Sequence, residues 1–423
     1  MIRFSNNVIA QMTLACNKKC TYCYEHIGDT SPFNKQPMTF EVFKKYLDAF
    51  IYNRCVLGKL ENTVDWHFHG GEVFLIPWPE LRKMIAYLEE RSKFFPGVTW
   101  LFQTNGTLIT EEIAKFFKYK NKVLGFSFDG YGDNHRGSAE ENEALMAHIK
   151  DLYEKTGADF AYLIVLSKKN KDTWLDDWNK NKEFCINFGI NPLCAQPGSD
   201  EVLTPDELWE CWLKPVLESF CTPNPIPERN TKFVLASLAA DLLFNTTGKP
   251  SLGCFDRVCA HGSSMTALNV DGEISPCDKF LESGKFVENK VVRKLTDKDF
   301  LGAKDLRYIY RFYRDMFKEE SKLGCDVCPC RGFCISDCQS HNLSTIGHVQ
   351  LNKEMCSLNF KIYEFVKEHI VDILKNNPIK LFHSVKQLNG FSSFGNELAT
   401  KLLSEGYRLI YNGETIYIEE CNK

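Results

Sequence analysis

VIAQMTLACNKKCTYC, residues 8–23, runs from a β-rich segment straight into Cys16, Cys20 and Cys23 at C-x3-C-x2-C spacing. Thiolates are soft ligands that suit iron–sulfur cubanes. A cubane has four irons, so ligation by three nearby cysteines leaves one iron open to a small molecule. A three-cysteine zinc loop is the competing reading. Zinc usually takes a fourth nearby ligand, and the C-x3-C step is unusual for it.

Downstream, short β-rich runs alternate with amphipathic stretches as far as about residue 230. Strands are expected at 8–15, 64–69, 98–104, 123–128, 160–166 and, last, 191–196. Between them FEVFKKYLDAFIYN, PELRKMIAYLEERSK, EEIAKFFKYK, ENEALMAHIKDLYEK and TWLDDWNKNKEFCINF repeat apolar residues at helical spacing. Thr110 ahead of Glu111 and Glu112 marks a helix start. Thr204-Pro205 with Glu207 reads as a capping box with proline at the first helical position. Repeated strand–helix units imply an α/β fold with a parallel sheet, here a partial (β/α)6 TIM-type barrel over residues 1–230. Chemistry in such sheets gathers beyond the carboxyl ends of the strands.

The alternation stops over 231–360, where Cys, Gly and Asp become frequent. Bound metal clusters would contribute to the folding of such a segment. In 361–423, PIKLFHSVKQLNG and NELATKLLSEG read as helices. RLIYNGETIYIEE reads as a hairpin about Asn412-Gly413, giving a small α+β appendage. That unit serves as a packing appendage or, on a second reading, grips a leader peptide.

Composition narrows the class. The chain has 423 residues, 44% hydrophobic, with net charge −4 and 18 cysteines. No concentrated basic surface is implied, so nucleic acid is not expected as a partner. No apolar run reaches membrane-spanning length and no secretory signal opens the chain, so a cytoplasmic protein is expected. In the reducing cytosol, clustered cysteines bind metal or do chemistry more often than they form disulfides.

C-x3-C-x2-C with aromatic Tyr22 before the last cysteine resembles the signature of the radical S-adenosylmethionine (SAM) superfamily. Three strand-end segments strengthen the resemblance. His69-Gly70-Gly71-Glu72 matches the family's Gly-Gly-Glu loop, implied to hold the SAM amino group, with Val73 where proline is usual. Gln103-Thr104-Asn105-Gly106 matches a loop that lines the active site. Ser127-Phe128-Asp129-Gly130 matches a segment implied to bind the SAM ribose through Ser127 and Asp129. Arg136 is the candidate partner of the SAM carboxylate, in a compressed segment. Ser167 reaches the cofactor or caps the next helix.

Cys254, Cys259, Cys277, Cys325, Cys328, Cys334, Cys338 and Cys356 resemble a SPASM domain, as found in radical SAM maturases of peptides and proteins. The resemblance implies two auxiliary 4Fe–4S clusters, one on Cys254, Cys259, Cys277 and Cys338, the other on Cys325, Cys328, Cys334 and Cys356. That makes three 4Fe–4S clusters in all, with Cys330 a competing ligand and zinc sites the alternative. Fully ligated clusters are expected to carry electrons. Asp278 matches an aspartate of the anaerobic sulfatase-maturing enzymes, which implies a general base.

The leading expectation is oxidative modification of a peptide or protein side chain, as a crosslink in a ribosomally made precursor. Formylglycine formation in a sulfatase is the alternative. A non-catalytic iron–sulfur or SAM-binding protein is the alternative of another class, and a small-molecule dehydrogenase or epimerase a further one. An external one-electron reductant of flavodoxin or ferredoxin type is the expected partner.

Overall fold

Trp66 and Phe68 alternate with His67 and His69 along one strand, and that alternation sets the two faces of the sheet. Trp66 and Phe68 are fully buried. Phe43 of the first helix packs on them at ring-centroid distances of 5.3 and 5.9 Å. The same outward face carries Phe102, stacked on Phe68 at 4.4 Å, and Phe117 of a later helix, 5.4 Å from Phe102. On the opposite face the strands present Gln11, Thr13, His67, His69, Gln103 and Ser127, and Asp129 follows just beyond the strand that ends at Ser127. A strand shows successive side chains to opposite faces. The barrel therefore has an aromatic exterior beneath its helices and a lumen in which these polar side chains stand among Ile9, Leu101 and Leu163.

The computed structural model describes residues 7–23, 36–56, 64–95, 98–193, 200–246, 265–268, 270, 273–275, 293–294, 314–334, 351–381 and 388–421. Strands β1 (Asn7–Thr13), β2 (Val64–Gly70), β3 (Val98–Thr104), β4 (Leu124–Ser127), β5 (Phe160–Leu166) and β6 (Cys185–Pro192) pair in sequence order, all parallel. Helices α1 (Phe40–Val56), α2 (Trp78–Ser92), α3 (Glu111–Tyr119), α4 (Ala139–Thr156) and α5 (Trp174–Asn181) connect them. This is the expected parallel α/β architecture, with one extension. A strand at Met265–Leu268 pairs parallel to β1 on its free side, and Glu273–Ser275 pairs antiparallel to it. The parallel part of the sheet thus has a seventh strand, from chain beyond residue 230.

Local signals behave as read. Thr110 caps α3 by accepting from Ile113 N. Thr204 and Glu207 form the full capping box, with Pro205 at the helix start. The sixth strand is a correction. The helical pattern runs through Phe188 and the strand is expected at 191–196, whereas α5 stops at Asn181 and β6 spans Cys185–Pro192. Phe188 is fully buried, 5.7 Å from the Tyr162 ring and 4.8 Å from Trp178. Packing against β5 and α5 settles a short apolar run that periodicity leaves ambiguous.

Beyond the barrel, Arg229–Leu243 forms a largely buried helix, here α8 after α6 (Pro205–Leu208) and α7 (Lys214–Phe220). Glu354–Asn376 forms α9, which buries Leu358, Ile362, Val366, Ile370 and Ile373 at helical spacing. The divisions drawn at 230 and 360 each fall inside one of these helices. The C-terminal hairpin pairs Tyr407–Tyr411 with Thr415–Glu420, and Gly413 at its tip has φ +98°. Ser393–Ser404 is helical as read. The helix expected over 378–390 is a second correction. Ile379–Lys380 pairs with the hairpin, and Leu388–Phe391 pairs with Phe244–Thr246 after α8. Gly395 lies so close to Leu243 O that a Cβ there would stand 2.0 Å away, so the C-terminal unit is packed onto the end of α8.

Candidate active site

The cysteine loop leaves β1 and is fastened at once by the end of β2. Gly71 N donates to Thr13 O at 2.8 Å, and Glu72 N donates to Ala15 O at 2.8 Å. A Cβ on Gly70 would stand 2.3 Å from Thr13 O, and one on Gly71 would stand 2.3 Å from Ala15 O. Gly70 also has φ +125°, a region side chains avoid. These glycines therefore let the β2 end lie against the chain that delivers Cys16.

Glu72 joins that end to β3. Its Oε1 accepts from Phe74 N at 3.0 Å and Thr104 Oγ1 at 2.7 Å, and its Oε2 accepts from Asn105 N at 2.7 Å. Burial raises the Glu72 pKa, and these donors offset part of the rise. Asn105 passes the linkage on. Its Nδ2 donates to Asn17 Oδ1 at 2.7 Å and points a longer contact of 3.8 Å at Cys16 Sγ. Lys18 N donates to the same sulfur at 3.4 Å. Burial raises the Cys16 thiol pKa, and these two N–H contacts oppose it. The sequence motifs at three strand ends thus converge on one loop.

The β4 end closes the other side. Gln103 Nε2 donates to Ser127 Oγ at 2.9 Å, which leaves the Ser127 O–H free to donate. Asp129 is buried. Its Oδ1 accepts from Val165 N at 2.9 Å, and among the described residues its buried Oδ2 makes no hydrogen bond of acceptable geometry, although Tyr22 lies close enough to help hold the carboxylate pKa down. Burial raises the Asp129 pKa, opposed chiefly by the Arg136 charge. Arg136 Nη1 donates to Tyr22 Oη at 2.9 Å. Desolvation works against the Arg136 charge, but Tyr22, Cys20 and Asp129 outweigh it and hold its pKa above the ordinary arginine value. Tyr22, Asp129 and Arg136 therefore form one electrostatic unit beside Cys20, despite the compressed spacing before Arg136.

Ser167 is fully buried, and its hydroxyl accepts from Lys169 N at 3.2 Å. It shapes the turn after β5, whereas Thr173 occupies the cap position of α5.

Several partners carried no signal of their own in sequence. Thr21 Oγ1 lies 2.7 Å from His135 Nδ1, Thr21 N donates to His135 O, and Lys18 Nζ donates to Arg136 O. The segment after β4 therefore straps the cysteine loop. Buried Asn170 donates to Asp129 O at 2.9 Å and Val165 O at 3.0 Å, tying β4 to β5. Only the position of Asn170 just beyond a strand end hinted at this.

In the later cysteine group, Cys330 is fully buried, and burial drives its pKa up. Cys328, Cys334 and Cys356 lie near enough to push it further. Cys325 and Cys328 belong to one tight turn, with Cys328 N donating to Cys325 O. Cys356 lies in the first turn of α9. Cys254, Cys259, Cys277, Asp278 and Cys338 lie outside the described residues.

The donor set fits a cluster with SAM. Lys18 N and Asn105 Nδ2 both point at Cys16 Sγ, and N–H groups aimed at a ligand sulfur are a recognised feature of iron–sulfur sites. Asp129, a carboxylate beside Tyr22 and Arg136, can accept and the Ser127 O–H can donate, which suits a diol.

Residues 11–177 match the model described as the radical SAM superfamily. A cysteine-type anaerobic sulfatase-maturating enzyme of Clostridium novyi is 27% identical over 304 residues, covering 66% of this chain and 76% of the relative. A serine-type counterpart from Bacteroides thetaiotaomicron is 28% identical, covering 63% and 67%. The solved structure of anSMEcpe with bound AdoMet superposes with TM-score 0.64 at 20% identity, covering 87% of this chain and 94% of that one. Streptococcus suis SuiB bound to precursor peptide SuiA gives 0.54 at 15%, covering 83% and 76%. Among the described residues no helix is long and apolar enough to cross a membrane. The chain carries a radical SAM domain over residues 11–177, and with it that family's SAM, 4Fe–4S cluster and radical chemistry.

Proposed function

We propose that this enzyme abstracts hydrogen from a side chain of a peptide or protein held over the lumen and completes a net two-hydrogen oxidation, forming a crosslink in a ribosomally made precursor. The observation that carries it is the cysteine loop itself, fastened at the carboxyl ends of β1 to β4 above a lumen lined with hydrogen-bonding side chains. The peptide as substrate class is supported by neighbours solved with peptides, SuiB with SuiA and anSMEcpe with Cp18Cys.

When bound, SAM and its cluster would together supply the hydrogen-abstracting radical, the cluster contributing the electron, and the two auxiliary clusters would supply an electron path. Cys16, Cys20 and Cys23 would hold the first cluster. Gly70, Gly71, Glu72, Thr104 and Asn105 keep that loop in place and line the SAM pocket. Ser127 and Asp129 take the ribose hydroxyls. Arg136, steadied by Tyr22, would pair with the SAM carboxylate. The eight later cysteines assigned above hold the auxiliary clusters, Asp278 is the general base, and a flavodoxin- or ferredoxin-type protein delivers the electron.

The test is 5′-deoxyadenosine formation by anaerobically reconstituted, dithionite-reduced protein, with Cys20→Ala as control. No 5′-deoxyadenosine from wild type refutes the reading. Given a candidate precursor, loss of two hydrogens with a new intrachain bond supports crosslinking. Sulfatase maturation is the second reading, favoured by the names of the relatives in C. novyi and B. thetaiotaomicron. Conversion of Cys or Ser to formylglycine in a sulfatase peptide would establish it instead.

A further inference from the structure

Arg229 is the first residue of α8, and its guanidinium comes to the inner face of β6. A Cβ built on Gly189 would stand 3.0 Å from Arg229 Nη2 and 3.2 Å from Leu163 Cδ1. Phe188 and Ile190 on either side are buried in the outward core, so the open side of Gly189 is the lumen side. The missing side chain at 189 makes room for the guanidinium. Register places Ser127 beside Leu163 and Leu163 beside Gly189. All three share one layer of the lumen, with Gly189 two strand spacings, roughly 10 Å, from Ser127.

Among the described residues this cation is left uncommitted. Its neighbour Glu228 is spent elsewhere. Glu228 Oε1 accepts from Ile190 N and Asn230 N, both at 2.9 Å, and its Oε2 accepts from Thr231 N at 2.6 Å and Trp212 Nε1 at 3.4 Å. Glu228 thereby pins α8 against β6 and aims the next side chain inward. Among the described residues Arg229 forms no hydrogen bond and no ion pair, its one electrostatic neighbour being Glu228. Its side chain is open to solvent, yet the surrounding protein crowds it enough that desolvation pulls its pKa below the ordinary arginine value. A group both accessible and desolvated lines a concavity. A cation in the first turn of a helix also opposes the helix dipole. An unpaired arginine so placed costs stability unless a ligand supplies the anion.

We propose that Arg229 anchors a carboxylate of the substrate, from an Asp or Glu side chain or a chain terminus, across the lumen from the Ser127–Asp129 end. This rests on the lumen being the reaction chamber. A guanidinium suits a carboxylate because its planar fork donates two parallel hydrogen bonds. SAM also carries a carboxylate, so the test separates the two sources.

Anaerobically reconstituted wild type, Arg229→Gln and Arg229→Lys are compared by thermal unfolding. Each is run with sodium glutarate as the carboxylate probe, with sodium chloride at matched ionic strength, and with SAM. We expect glutarate to raise the wild-type Tm beyond chloride. Arg229→Gln should weaken the apparent glutarate Kd at least about tenfold, with Arg229→Lys in between. The SAM-induced shift should be equal in all three. Without ligand, Arg229→Gln should melt no lower than wild type, the reverse of what a structural arginine gives. No glutarate effect on wild type, or loss of the SAM shift in Arg229→Gln, overturns the proposal. So does a fall in ligand-free Tm of Arg229→Gln. Failure of SAM to stabilise wild type would instead strike at the function reading, and this inference with it.

Discussion

Gly71→Ala puts one methyl group where the structure has no room for it. Its Cβ would stand 2.3 Å from Ala15 O, 2.7 Å from Ala15 C and 2.8 Å from Leu14 O, where ordinary contact begins at 3.4 Å. All three atoms are backbone, so no side chain can swing aside. The end of β2 and the chain entering Cys16 must part by roughly 1 Å. That separation strains the two hydrogen bonds Gly71 N–Thr13 O and Glu72 N–Ala15 O. Each contributes about 1 kcal/mol, and overpacking costs about 1–3 kcal/mol more. The total of about 3–5 kcal/mol is a large part of a typical domain's stability. Gly71 is not among the positive-φ glycines, so this cost is steric. Gly132→Ala is the control, since a Cβ there meets nothing within 4 Å. The assay is the urea midpoint, together with iron per chain and the EPR signal of the reduced cluster after anaerobic reconstitution. Gly71→Ala should lower the midpoint and assemble less of the first cluster, while Gly132→Ala behaves as wild type. A Gly71→Ala protein with an unchanged midpoint and full iron content would refute the claim that this contact fixes the cysteine loop.

Other consequences are testable separately. Asn105→Ala removes an N–H directed at Cys16 Sγ and the bond to Asn17. N–H dipoles at a ligand sulfur favour the more negative, reduced cluster. An EPR-monitored redox titration should therefore find the potential of the first cluster shifted down, and an upward shift would contradict the geometry. Glu228 has its pKa raised, first by burial, with its hydrogen bonds opposing. A raised carboxyl contributes stability below the usual glutamate range and loses it as pH rises through the folded-state value. Urea titrations from mildly acidic to neutral pH should show that loss in wild type and a flatter profile in Glu228→Gln. A steeper loss in Glu228→Gln would invert the assignment. Asp278→Asn should slow net oxidation of the substrate while 5′-deoxyadenosine formation continues, and unchanged turnover removes Asp278 from the mechanism.

The sequence by itself determined the features whose causes are local. Alternation such as Trp66-His67-Phe68-His69 fixed which face of a strand would be aromatic and which polar. Thr110, Thr204 with Glu207, and Asn412-Gly413 fixed two helix starts and a hairpin tip, because caps and turns are satisfied within a few residues. The cysteine spacing and the strand-end motifs located the site along the chain. Only tertiary structure decided what depended on partners distant in sequence. Phe184, Ile186, Phe188 and Ile190 alternate as a strand would, yet they followed a helix, and pairing with β5 was needed to settle them. Ile379–Lys380 and Leu388–Phe391 are strands because Thr415–Ile416 and Phe244–Thr246 lie beside them. The work of Gly71 is to meet the Ala15 backbone, and that of Asn105 is to meet Cys16 and Asn17. Arg229 looked like any charged residue opening a helix. Its exposure to the lumen, facing a glycine on a strand 40 residues earlier, exists only once β6 and α8 are packed together.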